Sequence, residues 1–203
     1  QADILDETGM LSALGEAVDY FGPIDLLFNN AVYQGTGNQE TVLEVARSQM
    51  EAIYQGNLLT PLALVQATLP GMLERGQGYL LNTASAAGLL AAIGSGPYSV
   101  TKSAAIKLAE FLSITHGDEG IRVSVLCPQG VNTAMAPRRL GDGQTDGIIE
   151  PQALAHTVVE TLREERFYVL PHPEVEDYVR RKGDDVDRWL HGMRRLRRRS
   201  LEA

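Results

Sequence analysis

The feature that most limits the fold of this 203-residue chain is a set of four short, nearly uninterrupted apolar runs: IDLLFNN at 24–30, GYLLNTAS at 78–85, IRVSVLCP at 121–128 and RFYVLP at 166–171. Each has the length of a strand, and none shows the strict alternation expected where one face of a strand meets water. Uninterrupted apolar strands belong to parallel sheets buried on both faces. The stretches between them are longer and carry helical periodicity. Strand, helix, strand, helix specifies an α/β fold: a doubly wound parallel sheet with right-handed crossovers.

The helices have readable ends. One starts at Thr8, runs through Tyr20 and stops at Gly22-Pro23; Thr41 with Glu44 has the spacing of a capping box that opens the next. From Ser99 onward Val100, Ala104, Leu108, Phe111 and Leu112 fall on one helical stripe that ends near Gly117. Pro151 opens a helix through Arg163, and 175–199 reads as one long amphipathic helix. Its apolar stripe of Tyr178, Val186, Trp189, Leu190, Met193 and Leu196 covers either its own core or a neighbouring subunit. The least regular stretch, 129–149, is a long loop of the kind that usually exists for function.

With 44% hydrophobic and 22% charged residues the chain can bury one sizeable core, so a single domain over 1–203 is expected, with 172–203 as a C-terminal helical extension. No apolar run is long enough to cross a bilayer and the first residues lack a signal-peptide layout, so the expectation is a cytoplasmic protein with no membrane partner. The net charge of −8 divides unevenly: residues 1–178 hold 9 Lys and Arg against 22 Asp and Glu, and residues 179–203 hold 9 against 4. A body at −13 repels phosphate, and the tail's RRLRRR has no aromatic residues interleaved for stacking, so no nucleic-acid partner is expected and the tail reads as a solvated helix. The four histidines are scattered without ligand spacing, which argues against a metal site, and the single cysteine, Cys127, lies between Leu126 and Pro128 as a buried small side chain.

Chemistry concentrates at 82–102, NTASAAGLLAAIGSGPYSVTK. Tyr98 and Lys102 are four apart at the start of a helix, which puts both on one face one turn apart. A free tyrosine, with a pKa of about 10, is a poor acid or base near neutrality. A nearby ammonium favours the tyrosinate and brings its proton transfer into a useful range. Ser85, thirteen positions before Tyr98, closes the strand at the carboxyl edge where ligands collect in parallel sheets. A hydroxyl there can donate to a developing alkoxide or polarise a carbonyl. Taken alone, Tyr-x-x-x-Lys is an ordinary solvated helix face; it is the combination that points to catalysis.

These residues, with others in matching order, resemble the short-chain dehydrogenase/reductase family from the first residues to about 171, and the resemblance implies a Rossmann-like sheet. Asp3-Ile4 is similar to the acidic turn after the third strand that touches adenine, and Asn29-Asn30-Ala31 to the Asn-Asn-Ala-Gly turn after the fourth. Asn57, in YQGNLL, occupies the place of the asparagine that completes a catalytic tetrad with Ser85, Tyr98 and Lys102. PQGVNT, with Pro128, Gly130 and Thr133, resembles the Pro-Gly-x-x-x-Thr segment that holds the nicotinamide end of the cofactor. The resemblance implies an NAD(P)-dependent oxidoreductase, with NAD or NADP as cofactor, that interconverts an alcohol with a ketone or aldehyde. Tyr98 would transfer the proton, Ser85 would bind the substrate oxygen, Lys102 would hold ribose hydroxyls and lower the tyrosine pKa, and Asn57 would position a water. Asn29 and Asn30 also suit a strand-ending turn in which short amides bond back to their own backbone, and Thr133 suits a plain loop hydroxyl.

Three departures accompany the match. Val32 stands for the glycine of the asparagine turn, Gln129 for the glycine after the proline, and the family's glycine-rich T-G-x-x-x-G-x-G turn is nowhere in the 203 residues. At roughly 30 residues per β-α-β unit, a missing front of two to three strands amounts to on the order of 60 residues. Since Gln1 is not a methionine, a fragment or processed product is expected, with an uncovered edge at the strand 24–30. The alternative is a truncated, cofactor-free relative acting as an interaction or scaffold protein. Leu89, Leu90, Ile93, Met135 and Leu140 suggest an apolar pocket for a small alcohol or carbonyl substrate. Arg138 and Arg139 suit either an anionic substrate group or plain solvation. Pairing of the helices at 41–76 and 98–116, implied by the resemblance, gives a homodimer or homotetramer.

Overall fold

The computed structural model describes residues 1–35, 41–134 and 145–202, so Met135, Arg138, Arg139 and Leu140 lie outside the described residues. In chain order the elements are α1 (Glu7–Phe21), β1 (Leu26–Asn29), α2 (Arg47–Tyr54), α3 (Thr60–Arg75), β2 (Gly78–Thr83), α4 (Ala86–Leu90), α5 (Gly96–His116), β3 (Ile121–Leu126), α6 (Pro151–Arg163), β4 (Tyr168–Val169), α7 (Glu174–Asp184) and α8 (Val186–Glu202). All four apolar runs become strands of one sheet, ordered β1-β2-β3-β4, and every pair is parallel.

Successive strand residues face opposite sides of the sheet, so the core has two halves. Leu80, Val123 and Val125 pack against Val65 and Met72 of α3 and Ile106, Ala109 and Leu112 of α5. Leu81, Leu126 and Val169 pack against Leu154, Val158 and Leu162 of α6. Helices therefore cover both faces, which is the doubly wound arrangement. β2 and β3 start from a tight corner: Gly120 has φ of +87°, and a Cβ there would stand 1.9 Å from the Gly76 carbonyl oxygen. β1 is bonded on one side only, and a groove of about 270 Å³ beside it is lined by Met10 and Leu14 of α1, Phe28 and Ala31, and Pro61 and Leu64 of α3. No helix among the described residues is long and apolar enough to cross a membrane.

Four elements differ from the sequence reading, each for a local reason. α1 starts at Glu7 because the Asp6 carboxylate caps it, accepting from the Gly9 N–H at 3.0 Å. The Thr41–Glu44 box forms but closes only a 3₁₀ turn; Val45 leaves it extended, and the helix begins at Arg47. The apolar stripe of α5 is phased differently, since Phe111 and Ile114 are 62% and 84% exposed while Thr101, Lys102, Ala105 and Ala109 face inward. The face next to β2 is chosen by hydrogen-bonded polar groups that apolar periodicity does not see. The helix at 175–199 is two helices: Asp185 is extended, and its carboxylate accepts the Arg188 N–H at 2.9 Å to cap α8.

Candidate active site

β2 delivers Ser85 to the sheet's carboxyl edge. Its backbone is extended, and its hydroxyl caps α4 by accepting the Ala87 N–H at 3.1 Å while donating to the Pro128 carbonyl at 3.4 Å. Pro97 starts α5, which places Tyr98 and Lys102 one turn apart. The two helices meet very closely: a Cβ on Gly88 would stand 2.7 Å from the Lys102 carbonyl carbon, and the Ser103 hydroxyl donates to the Gly88 carbonyl at 2.6 Å. That contact brings Ser85 into a hydrogen bond with the Tyr98 phenol. Lys102 is buried, its Nζ 5.5 Å from the centre of the Tyr98 ring, and it donates to the Thr83 carbonyl at 2.7 Å.

Asn57 arrives by another route. Between α2 and α3 the backbone widens into a π turn, Gln55–Leu59, of the kind often found at functional positions. This turn aims the buried Asn57 at the chain after β1: its Oδ1 accepts the Tyr33 N–H at 2.8 Å, and its Nδ2 donates to the Tyr33 carbonyl at 2.9 Å and to Thr101 Oγ1 at 3.2 Å. Asn57, Lys102, Thr83, Asn82 and Asn29 line a cavity of about 10 Å³. With Ala31, Leu58, Pro61, Ala105 and Leu108 completing the lining, its size and its polar side suit a single water. The four tetrad positions are thus assembled around the end of β2.

Burial sets the electrostatics. It pushes the Lys102 ammonium down to about 8 and the Cys127 thiol up to about 12. Burial also raises the Tyr98 phenol, a rise the Ser85 hydrogen bond partly offsets. Where lowering by Lys102 is expected, the phenol stands above its usual value, with burial the largest cause, and it keeps its proton at neutral pH.

The remaining positions are spread along the same edge. Asp3 is exposed and accepts the Leu5 N–H at 2.9 Å within its own turn. The asparagine pair bonds across the sheet and not to its own backbone: Asn29 Nδ2 donates to Asn82 Oδ1 and Asn30 Oδ1 accepts from Thr83 Oγ1, both at 2.9 Å. Ala31 lines both the small cavity and the β1 groove. The Pro128 carbonyl takes the Ala86 N–H at 3.0 Å, Gly130 is buried, and Thr133 is exposed. Leu90 and Ile93 are half-buried at the end of α4 and in the link to α5. Sequence reasoning missed Thr83 and Thr101, which hold Lys102, Asn30 and Asn57 in place; neither belongs to a spacing motif.

A family model described as short chain dehydrogenase matches residues 1–142. The chain is 32% identical over 196 residues to 1-deoxy-11-beta-hydroxypentalenate dehydrogenase of Streptomyces exfoliatus, covering 94% of this chain and 69% of that protein. It is 31% identical to 2-(R)-hydroxypropyl-CoM dehydrogenase of Xanthobacter autotrophicus, covering 69% of this chain and only 56% of that protein, little more than half its length. Among solved structures, a short chain dehydrogenase/reductase from Burkholderia phymatum in complex with NAD superposes with a TM-score of 0.77 at 26% identity, over 92% of this chain and 74% of that one. With its parallel Rossmann-type sheet and the tetrad positions gathered at the sheet's carboxyl edge, the chain belongs to the short-chain dehydrogenase family.

Proposed function

We propose that this site serves an NAD(P)-dependent oxidoreductase that interconverts an alcohol with a ketone or aldehyde. The observation that carries the reading is the meeting of the Ser85 hydroxyl, the Tyr98 phenol and the Lys102 ammonium at the end of β2. The dehydrogenase names of the relatives and the NAD complex of the Burkholderia neighbour support it. The residues fit the nicotinamide-ribose end of such a cofactor. Lys102 spends one of its three N–H donors on Thr83, which leaves two for vicinal hydroxyls, and Asn30, Ala31 and the Pro128–Thr133 segment lie along the same edge. A bound nicotinamide supplies the two-electron chemistry.

The chain's own residues handle the proton. Burial keeps the Tyr98 phenol protonated, which suits it to donate to a carbonyl oxygen in the reducing direction. The Ser85 hydroxyl donates to the same oxygen and stabilises its developing charge. Lys102 and the water-sized cavity next to Asn57 form a path for returning a proton to Tyr98. Half-buried Leu89, Leu90 and Ile93 suit an apolar substrate, and Met135 would join them. The exposed Leu59, Val100, Phe111 and Ile114 support homodimer or homotetramer pairing through α3 and α5. α7 and α8 extend this one domain.

The test is turnover of a panel of apolar ketones and aldehydes with NADH and with NADPH, alongside cofactor binding by nicotinamide fluorescence. Tyr98→Phe is expected to lower kcat by roughly 1,000-fold while leaving cofactor affinity in place. Equal turnover by the variant would sink the assignment. Absence of binding to either nicotinamide would favour the second reading, a cofactor-free interaction protein.

A further inference from the structure

Among the described residues, three buried side-chain atoms lack a hydrogen-bond partner: Gln129 Oε1, His172 Nε2 and Trp189 Nε1. They gather at one junction, where the segment after β3 meets α7 and α8. Asp146 is its hub. Its Oδ2 accepts from Gln129 Nε2 and its Oδ1 from the Tyr178 hydroxyl, both at 2.8 Å. His172, itself buried, accepts the Gln129 backbone N–H on Nδ1 at 3.3 Å. The Trp189 ring packs 6.1 Å from that of Tyr178, and Lys182, further along α7, donates to the Leu89 carbonyl of α4.

The use of this hydrogen-bonded chain follows from its location. Gln129 stands where the family resemblance leads one to expect glycine, so the side chain that reaches Asp146 is a feature of this chain. One residue earlier, the Pro128 carbonyl accepts the Ala86 N–H at 3.0 Å and the Ser85 hydroxyl at 3.4 Å. The Gln129 tether therefore acts on the backbone that touches Ser85, and the Lys182 bond ties the same helix to the far wall of the site. Tyr178 stays a donor, since its phenol is pushed up to about 12 by burial and by the bond to Asp146.

We propose that Gln129, Asp146 and Tyr178 are positioning residues: a hydrogen-bonded chain through which α7 holds the Pro128–Gly130 backbone against Ser85, making α7 a working wall of the site. The kinetic arm of the test rests on the oxidoreductase reading; the structural arm does not.

In the full chain, amide hydrogen exchange is followed by NMR at Ala86 and Gln129, with Leu80 and Val125 as internal references, and steady-state kinetics are measured in parallel. Asp146→Ala removes both acceptors and is expected to speed exchange at Ala86 and Gln129 by about tenfold, with the reference amides unchanged, and to lower kcat/KM by about tenfold, chiefly through KM. Asp146→Asn is the rescue. Its Oδ1 can still serve Tyr178, and its Nδ2 can donate to Gln129 Oε1 once that amide turns over, so most of both losses is recovered. Tyr178→Phe, which removes one hydroxyl, gives an intermediate effect and replaces Asp146→Ala if that variant does not fold. Unchanged exchange at Ala86 and Gln129, or no recovery in Asp146→Asn, overturns the proposal. A wild-type chain without turnover would count against the oxidoreductase reading alone, and the exchange results would still decide this one.

Discussion

β1 and β2 each hold a Leu-Leu pair and an asparagine, and they lie side by side with Leu27 next to Leu80; yet Leu80 and Leu81 are 0% and 1% exposed, whereas Leu26 and Phe28 are 47% and 43%. What differs is the surroundings. β2 has a strand on each side and helices over both faces, while β1 has one neighbour and a groove. An apolar run thus specifies a strand, and its rank in the sheet decides how much that strand buries. The catalytic candidates gather at the end of β2, one of the two well-buried central strands.

The sharpest way to break the comparison is to truncate one leucine on each strand. Leu80→Ala should cost about 4 kcal/mol and Leu26→Ala under about 1 kcal/mol, read by urea unfolding with an unchanged m-value. Equal losses would mean that the edge is as well covered as the centre.

Burial at the end of β2 also acts on charge, and Lys102 reports it through pH. Its folded-state pKa of about 8 lies below the ordinary lysine value of 10.5, so between those values the unfolded chain holds a proton that the folded chain has released. Unfolding therefore takes up a proton there, and stability rises with pH across that window. The gain over the whole window is roughly 3 kcal/mol and should vanish in Lys102→Met, with the difference between the two proteins cancelling the other titrating groups. A parallel pH profile for both would place the ammonium in water.

The smallest contrast is between two glycines. Gly88→Ala puts a methyl against the Lys102 backbone and should cost about 2 kcal/mol, while Gly15, in α1 beside β1, has nothing within 4 Å of its Cβ position, so Gly15→Ala should stabilise by up to about 1 kcal/mol. Opposite signs in the thermal midpoints sharpen the distinction between packed centre and open edge.

Much of this was legible in the sequence because it is local. The four strands, the Pro151–Arg163 helix and the placing of Ser85 and Tyr98 follow from apolar run length, proline position and spacing. Other features are set by contacts distant in the chain. α5 leaves Val100, Phe111 and Ile114 outside because Thr101 and Lys102 face inward and bond to Asn57 and Thr83, 44 and 19 residues away. The Asp146 junction joins residues 17 and 32 apart, and no pattern within one element signals it. The raised Tyr98 phenol escapes the sequence for a related reason: proximity to lysine shows in the spacing, whereas the burial that lifts the phenol does not.

The widened turn at Gln55–Leu59 makes residue count itself part of the design. Removing one amino acid there would restore regular pitch and take away the bulge that carries Asn57. Asn57 would no longer reach Tyr33 or Thr101, although not one side chain in the neighbourhood had been altered chemically. In that stretch an alignment gap is more damaging than a substitution.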